Sequence, residues 1–105
     1  MLRPTAGGIR DQNGMTPLML AVDSGQARTA RSLLQQGADL NATDKWGQTA
    51  LMLAAGRNDV ECTRLLVEAG AKLTIRARNG LTALGYALEN GQTGSAEVLM
   101  RAKAR

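Results

Sequence analysis

The chain has 105 residues, 44% hydrophobic and 21% charged, which fits one globular domain and leaves no room for separate catalytic and regulatory domains. It contains no His and one Cys, which excludes a His general base, a Cys–His nucleophile, a His-containing zinc site and an internal disulfide. Thirteen basic residues against nine acidic ones give a net charge of +4, which favours acidic partners without specifying nucleic acid.

Residues 1–10 read as a tail or as the remnant of an earlier hairpin. Residues 11–43 begin with a turn around Gly14, and Thr16-Pro17 then opens a helix. The Thr hydroxyl can accept a first-turn amide, and Pro at the first helical position gives up an N–H that has no partner there anyway. Leu18, Ala21 and Val22 recur at helical spacing until Gly25 turns the chain. A second helix carries Leu33 and Leu34 and ends at Gly37, and a polar stretch leads on from Ala38. Residues 44–76 and 77–105 repeat this order. A shift of 33 positions aligns Gly14, Gly47 and Gly80, then Thr16, Thr49 and Thr82, then Ala21, Ala54 and Ala87. The first two copies share 12 of 33 positions, where chance supplies about two or three. The third copy stops after 29 positions and keeps 8 identities with the second. With no Phe, one Trp and one Tyr, the core must be built from Leu, Ala, Val and Met, which suits thin, closely stacked helices. Helices of roughly eight to ten residues do not persist alone, so the copies are expected to stack into an all-α solenoid of helix–turn–helix units.

The run Gly14-Met15-Thr16-Pro17-Leu18, with Ala21, Gly25, Leu33-Leu34 and Gly37-Ala38-Asp39-Leu40-Asn41-Ala42, closely resembles the ankyrin repeat. The second copy matches through Asp44, Gly47-Gln48-Thr49-Ala50-Leu51, Leu65-Leu66 and Gly70-Ala71, and the third through Gly80-Leu81-Thr82-Ala83-Leu84, Gly91 and Leu99. The resemblance implies an L-shaped stack of helix pairs with β-hairpin tips projecting from one edge. The family usually has His after Thr-Pro-Leu, where it ties hairpin to helix. Met19, Met52 and Gly85 stand at those positions here, so thioether packing is expected at the first two. Asn58 replaces the turn glycine of the other copies and should take the left-handed conformation. Ala77 replaces Asp11 and Asp44, which should remove one hydrogen bond from the third tip. Ser32, Ser95 and the basic end at Arg101, Lys103 and Arg105 suggest polar outer repeats, as the terminal faces of a solenoid require.

No residue stands out as catalytic, cofactor-binding or metal-binding. Cys62 lies beside Leu65 and Leu66 and reads as a buried small apolar residue. Asp59 and Glu61 flank a helix start, where negative charge suits the helix dipole, and Arg64 and Glu68 are a solvated helical pair. Gly80 to Gly85 lacks the Gly-Lys-Ser/Thr of a phosphate loop. Asn41 resembles the asparagine that hydroxylases modify in ankyrin sequences, but a role in closing its own loop through the amide explains it better.

The resemblance implies a concave partner-binding face made of the tips and the exposed side of each first helix. Position by position, that face holds Gln12, Asn13, Met15, Asp23 and Ser24 from the first copy. Lys45, Trp46, Gln48 and Arg57 come from the second, and Arg76, Arg78, Asn79, Leu81, Glu89 and Asn90 complete it. Met15, Trp46 and Leu81 should form an apolar row ringed by Lys45, Arg57, Arg76 and Arg78, with Trp46 as its anchor. The expected activity is non-catalytic binding of another protein through an acidic and hydrophobic segment of that partner, by a monomer. A dedicated inhibitor or immunity protein for an enzyme, or an engineered ankyrin binder, is the alternative. Nucleic-acid binding through the basic end ranks lower, because the cations are not accompanied by aromatic residues that could stack bases. No apolar run nears the ~20 residues of a membrane span, and no signal-length stretch occurs near Met1, which favours a cytoplasmic location.

Overall fold

The computed structural model describes residues 10–91 and 93–104. Helices α1 (Pro17–Asp23), α3 (Ala50–Gly56) and α5 (Ala83–Glu89) each start one residue after a threonine in extended conformation, Thr16, Thr49 and Thr82. The three hydroxyls accept the amides of Met19 at 3.2 Å, Met52 at 3.3 Å and Gly85 at 3.2 Å, and each such cap is worth about 1 kcal/mol. Helices α2 (Ala27–Gln35), α4 (Val60–Glu68) and α6 (Thr93–Lys103) pair with them in turn. Helix α4 is capped by Asp59, whose carboxylate accepts the Cys62 amide at 3.0 Å. Helix α6 runs to 11 residues where α2 and α4 have 9, because Lys103 stands where Gly37 and Gly70 break the other two.

The helices pack as two layers, α1–α3–α5 inside and α2–α4–α6 outside, with each inner helix also resting on its own outer partner. Leu18, Met19, Val22, Leu51, Met52 and Leu66 fill the centre, and Ala54, Ala55 and Ala87, all fully buried, let neighbouring helices approach closely. The contact between α4 and α6 includes a buried polar pair. The hydroxyls of Thr63 and Ser95, both buried, meet at 3.1 Å.

The tips are tight turns, and among the described residues there is no strand, so the expected β-hairpins are not confirmed. Each turn is closed by one long-reach backbone bond, Asp11 N–H to Met15 O, Asp44 N–H to Gln48 O and Ala77 N–H to Leu81 O, too short a pairing to make a ladder. A single bond joins each tip to the next, Lys45 N–H to Asn13 O and Arg78 N–H to Trp46 O, both at 3.0 Å. Glycine is required in this row. At Gly14 (φ +78°) and Gly47 (φ +77°) a Cβ would stand 3.1 Å from the donating nitrogens of Lys45 and Arg78.

Three further expectations change. The Met52 thioether does more than pack: its sulfur accepts the Thr49 N–H at 3.4 Å, completing a reciprocal cap at the start of α3. Ser95 is not part of a polar outer face but is fully buried, because its side of α6 faces α4. The outward side of α5 and α6 is also less polar than expected, with Leu88 60% and Met100 55% exposed. By contrast, Asn58 takes φ +57°, as its register with Gly25 and Gly91 requires.

Candidate partner-binding face

Asp44 organises the central tip. Its carboxylate, almost wholly buried, accepts the amides of Trp46 and Gln48 at 2.9 Å each and the Gln48 side-chain amide at 3.1 Å. This leaves Gln48 half-buried and fixed, and presents Trp46 at 47% exposure with Lys45 Nζ 4.6 Å from the ring centroid. An ammonium over an indole at that distance restrains both groups weakly, by about 0.5–1 kcal/mol at an exposed site. In the third tip Ala77 has no carboxylate to offer. The Leu81 amide turns to Asn79 Oδ1 at 3.0 Å instead, and Asn79 Nδ2 donates to the Tyr86 hydroxyl at 3.1 Å. The result is an open groove of about 580 Å³ between the second and third tips, lined by Trp46, Gln48, Arg78, Asn79 and Tyr86.

Gln12, Asn13, Asp23, Ser24, Lys45, Arg57, Arg78, Asn79, Glu89 and Asn90 are all exposed. Ser24, Arg57 and Asn90 occupy the C-cap positions of the three inner helices, and the Asn90 amide is already used, donating to Gly56 O at 3.2 Å. Met15 is a correction. Only 9% exposed, it belongs to the core, because its N–H is taken by Asp11 Oδ1 and its C=O by Asp11 N–H, and the side chain points inward. Leu81 is half-buried and leans over Gly85, so the row Met15–Trp46–Leu81 does not exist as an exposed feature. Arg76 lies apart from Trp46, in a separate groove with Lys72 and Lys103.

A different row takes its place. Leu20, 44% exposed, and the half-buried Leu53 and Tyr86 stand one repeat apart on the inner helices. Their 33-residue spacing is present in the sequence, but apolar character at helical spacing does not tell which such residues stay exposed. The Cys62 thiol is buried and its pKa is pushed up to about 12, chiefly by that burial and then by its hydrogen bond to Asp59, so it stays protonated at neutral pH. Asn41 does not close its own loop. Its Oδ1 accepts the Lys72 N–H at 2.9 Å and so joins two successive loops.

The family model of ankyrin repeats, three copies, matches residues 2–44 and 29–105. No curated protein matches the chain. Ankyrin repeats generally mediate protein–protein interaction and are typically non-catalytic, and among the described residues no helix is long and apolar enough to cross a membrane. The helix pairs, threonine caps and glycine turns described above are the features that this match spans, and the chain belongs to the ankyrin-repeat family.

Proposed function

We propose that this chain is a non-catalytic module that binds another protein through the tips and inner helices. The exposed Trp46 beside the groove to Tyr86 carries the reading. A half-exposed indole at the rim of a groove is the usual energetic centre of a protein interface. Asp44, Asn79 and the inter-tip bonds hold the groove's walls in place before any partner arrives, so binding requires little ordering. Leu20, Leu53 and Tyr86 extend an apolar track from it, and Lys45, Arg57 and Arg78 supply positive charge alongside. The partner segment that fits is apolar at its anchor and acidic at its flanks. Charge then speeds encounter, and the apolar contacts set how long the complex lasts.

The test is parallel affinity capture with wild-type protein, Trp46→Ala and Tyr86→Ala, followed by titration of the captured protein. Trp46→Ala should weaken binding by about 2 kcal/mol or more, the scale of an aromatic hot spot. Because the ring is half-exposed and its backbone bonds survive the change, thermal stability should shift by less than about 0.5 kcal/mol. Unchanged affinity together with a sharp fall in stability would assign Trp46 to the fold and remove this face from consideration.

A further inference from the structure

The chain has one Trp, one Tyr and no Phe, and both aromatic residues line the same groove between the second and third tips. The core is filled without them, by Leu, Met, Val and Ala. One repeat earlier their positions hold Asn13 and Leu53, so the repeat pattern does not call for aromatic rings there. The groove also lies inside the stack. Its two tips are joined by the Arg78 N–H to Trp46 O bond at 3.0 Å, and a further repeat at either end would lengthen the row of tips without filling this gap.

The polar groups of the lining are mostly donors. Tyr86 Oη accepts from Asn79 Nδ2 at 3.1 Å, which leaves the hydroxyl hydrogen to donate. Asn79 Oδ1 is taken by the Leu81 N–H, and the Gln48 side-chain amide is held by Asp44. The Trp46 indole and the Arg78 guanidinium can only donate. Lys45, with Nζ 4.6 Å from the indole centroid, brings a second positive charge to the rim, and among the described residues no carboxylate lines the groove. Such a lining suits a ligand with rigid apolar rings, unpaired carbonyl oxygens, few N–H groups and a negative flank.

A polyproline II segment has those properties. Its carbonyls make no internal hydrogen bonds, each Pro lacks the N–H that would need an acceptor, and the pyrrolidine ring lies against an aromatic face at little cost in entropy. An α-helix pairs its carbonyls internally and would meet these donors with side chains alone. Resting on the reading of the Trp46 face as the partner-binding surface, we infer that the groove receives an extended, proline-containing segment of a partner protein with carboxylates beside the prolines. One Pro lies against Trp46 and a second, on the same side of the segment, against Tyr86. The Tyr86 hydroxyl and the Arg78 guanidinium donate to main-chain carbonyls, and the acids meet Lys45 and Arg78.

The experiment uses residues 1–105 labelled with 15N and two blocked synthetic peptides flanked by Glu, one with two adjacent prolines and one with a Pro on each of two successive turns. Control peptides replace each Pro by Ala or each Glu by Lys, and a single-stranded oligothymidylate offers stackable bases on an anionic backbone. At least one proline peptide should shift the amides of Gln48, Arg78 and Asn79 and the Trp46 indole N–H, and leave α2 and α4 unmoved. The Ala and Lys controls should lose most of this binding. Trp46→Ala should weaken it about tenfold or more. Tyr86→Phe, which keeps the ring and removes the donor, should weaken it about threefold. Lys45→Glu and Arg78→Glu should each weaken it, and the wild type should lose affinity at high salt. Equal binding of the Ala or Lys controls, no effect of Tyr86→Phe, or tighter binding of the oligothymidylate would each overturn the inference. So would the absence of shifts in the groove with either proline peptide at millimolar concentration. The face itself then stands or falls on the titration of its captured partner against Trp46→Ala, which tells the two failures apart.

Discussion

Cys62 shows how far a single residue's chemistry follows from its surroundings. Burial raises its pKa from 9.0 to about 12, and the hydrogen bond to Asp59 with the charges of Asp59 and Glu61 adds to the rise, against a smaller opposing effect of Arg57. A raised pKa means that the folded state holds the proton more tightly than the unfolded chain does. Below about pH 9 both states are protonated and the thiol leaves stability independent of pH. As pH rises from there towards about 12, the unfolded chain ionises first and stability falls. Denaturant melts at about pH 7 and about pH 10.5 should show this loss in the wild type and a smaller one in Cys62→Ala. A thiol-exchange reagent near neutral pH should react only at the rate of unfolding. Fast reaction of the native protein would mean that the thiol is accessible. Cys62's inward position could be read from its neighbours Leu65 and Leu66. Its bond to the N-cap Asp59 could not, since that depends on how the first turn of α4 closes.

At the scale of the element, the outer helices start in three different ways. Gln26 offers α2 no side-chain cap and Asp59 caps α4 from its own chain position, whereas Asn58, from the preceding repeat, caps α6 by accepting the Ser95 N–H at 3.1 Å. Asn58 therefore has two roles, the left-handed turn at φ +57° and the bond to α6. Asn58→Gly keeps the turn and loses the bond, for a cost of about 1 kcal/mol, while Asn58→Ala also strains the turn and should cost about 2 kcal/mol. Equal melting curves for the two variants would remove the turn from this account. Gly94 lies in the same contact. Helix propensity alone would make Gly94→Ala stabilising by about 1 kcal/mol. A Cβ there would come within 2.7 Å of Val60 Cγ2 and 3.3 Å of Asn58 Oδ1, so the change should instead destabilise by about 1–3 kcal/mol. A rise in melting temperature would show that α4 and α6 can separate freely. The turn at Asn58 was legible, because register with Gly25 and Gly91 names the conformation. The contacts of Ser95 were not. Its partners Asn58 and Thr63 lie 37 and 32 residues away, and only the stacking of helices brings them together. Met15 is expected in the exposed row and is buried instead, because the Asp11 bonds that close its turn fix the backbone from which its side chain enters the core.

Across the whole molecule, stability resides between repeats as much as within them. Helices α1 and α3 share a face, as do α3 and α5, and the loops are stitched by Lys45 to Asn13, Lys72 to Asn41 and Arg78 to Trp46. Arg10 adds a side-chain tie between the two ends of the first repeat, its guanidinium donating to Thr43 O at 2.7 Å and to Gly14 O at 3.0 Å. A single repeat cut from this stack keeps its Thr cap but loses the surface that covers its apolar side. Residues 11–43 contain two helices of 7 and 9 residues, each below the roughly 12–15 needed for even marginal helicity in isolation. Their mutual contact buries one face of each, and the face that α3 and α4 cover would meet water. Expressed alone, residues 11–43 should therefore be unfolded, residues 11–76 partly helical, and the full chain helical with a single cooperative transition. Circular dichroism of the three lengths, with denaturant melts of the two longer ones, decides the matter. Strong helicity in residues 11–43 would place stability inside the repeat. Two separated transitions in the full chain would mean that the inter-repeat bonds at Asn41, Asn58 and Asn90 do not couple its parts.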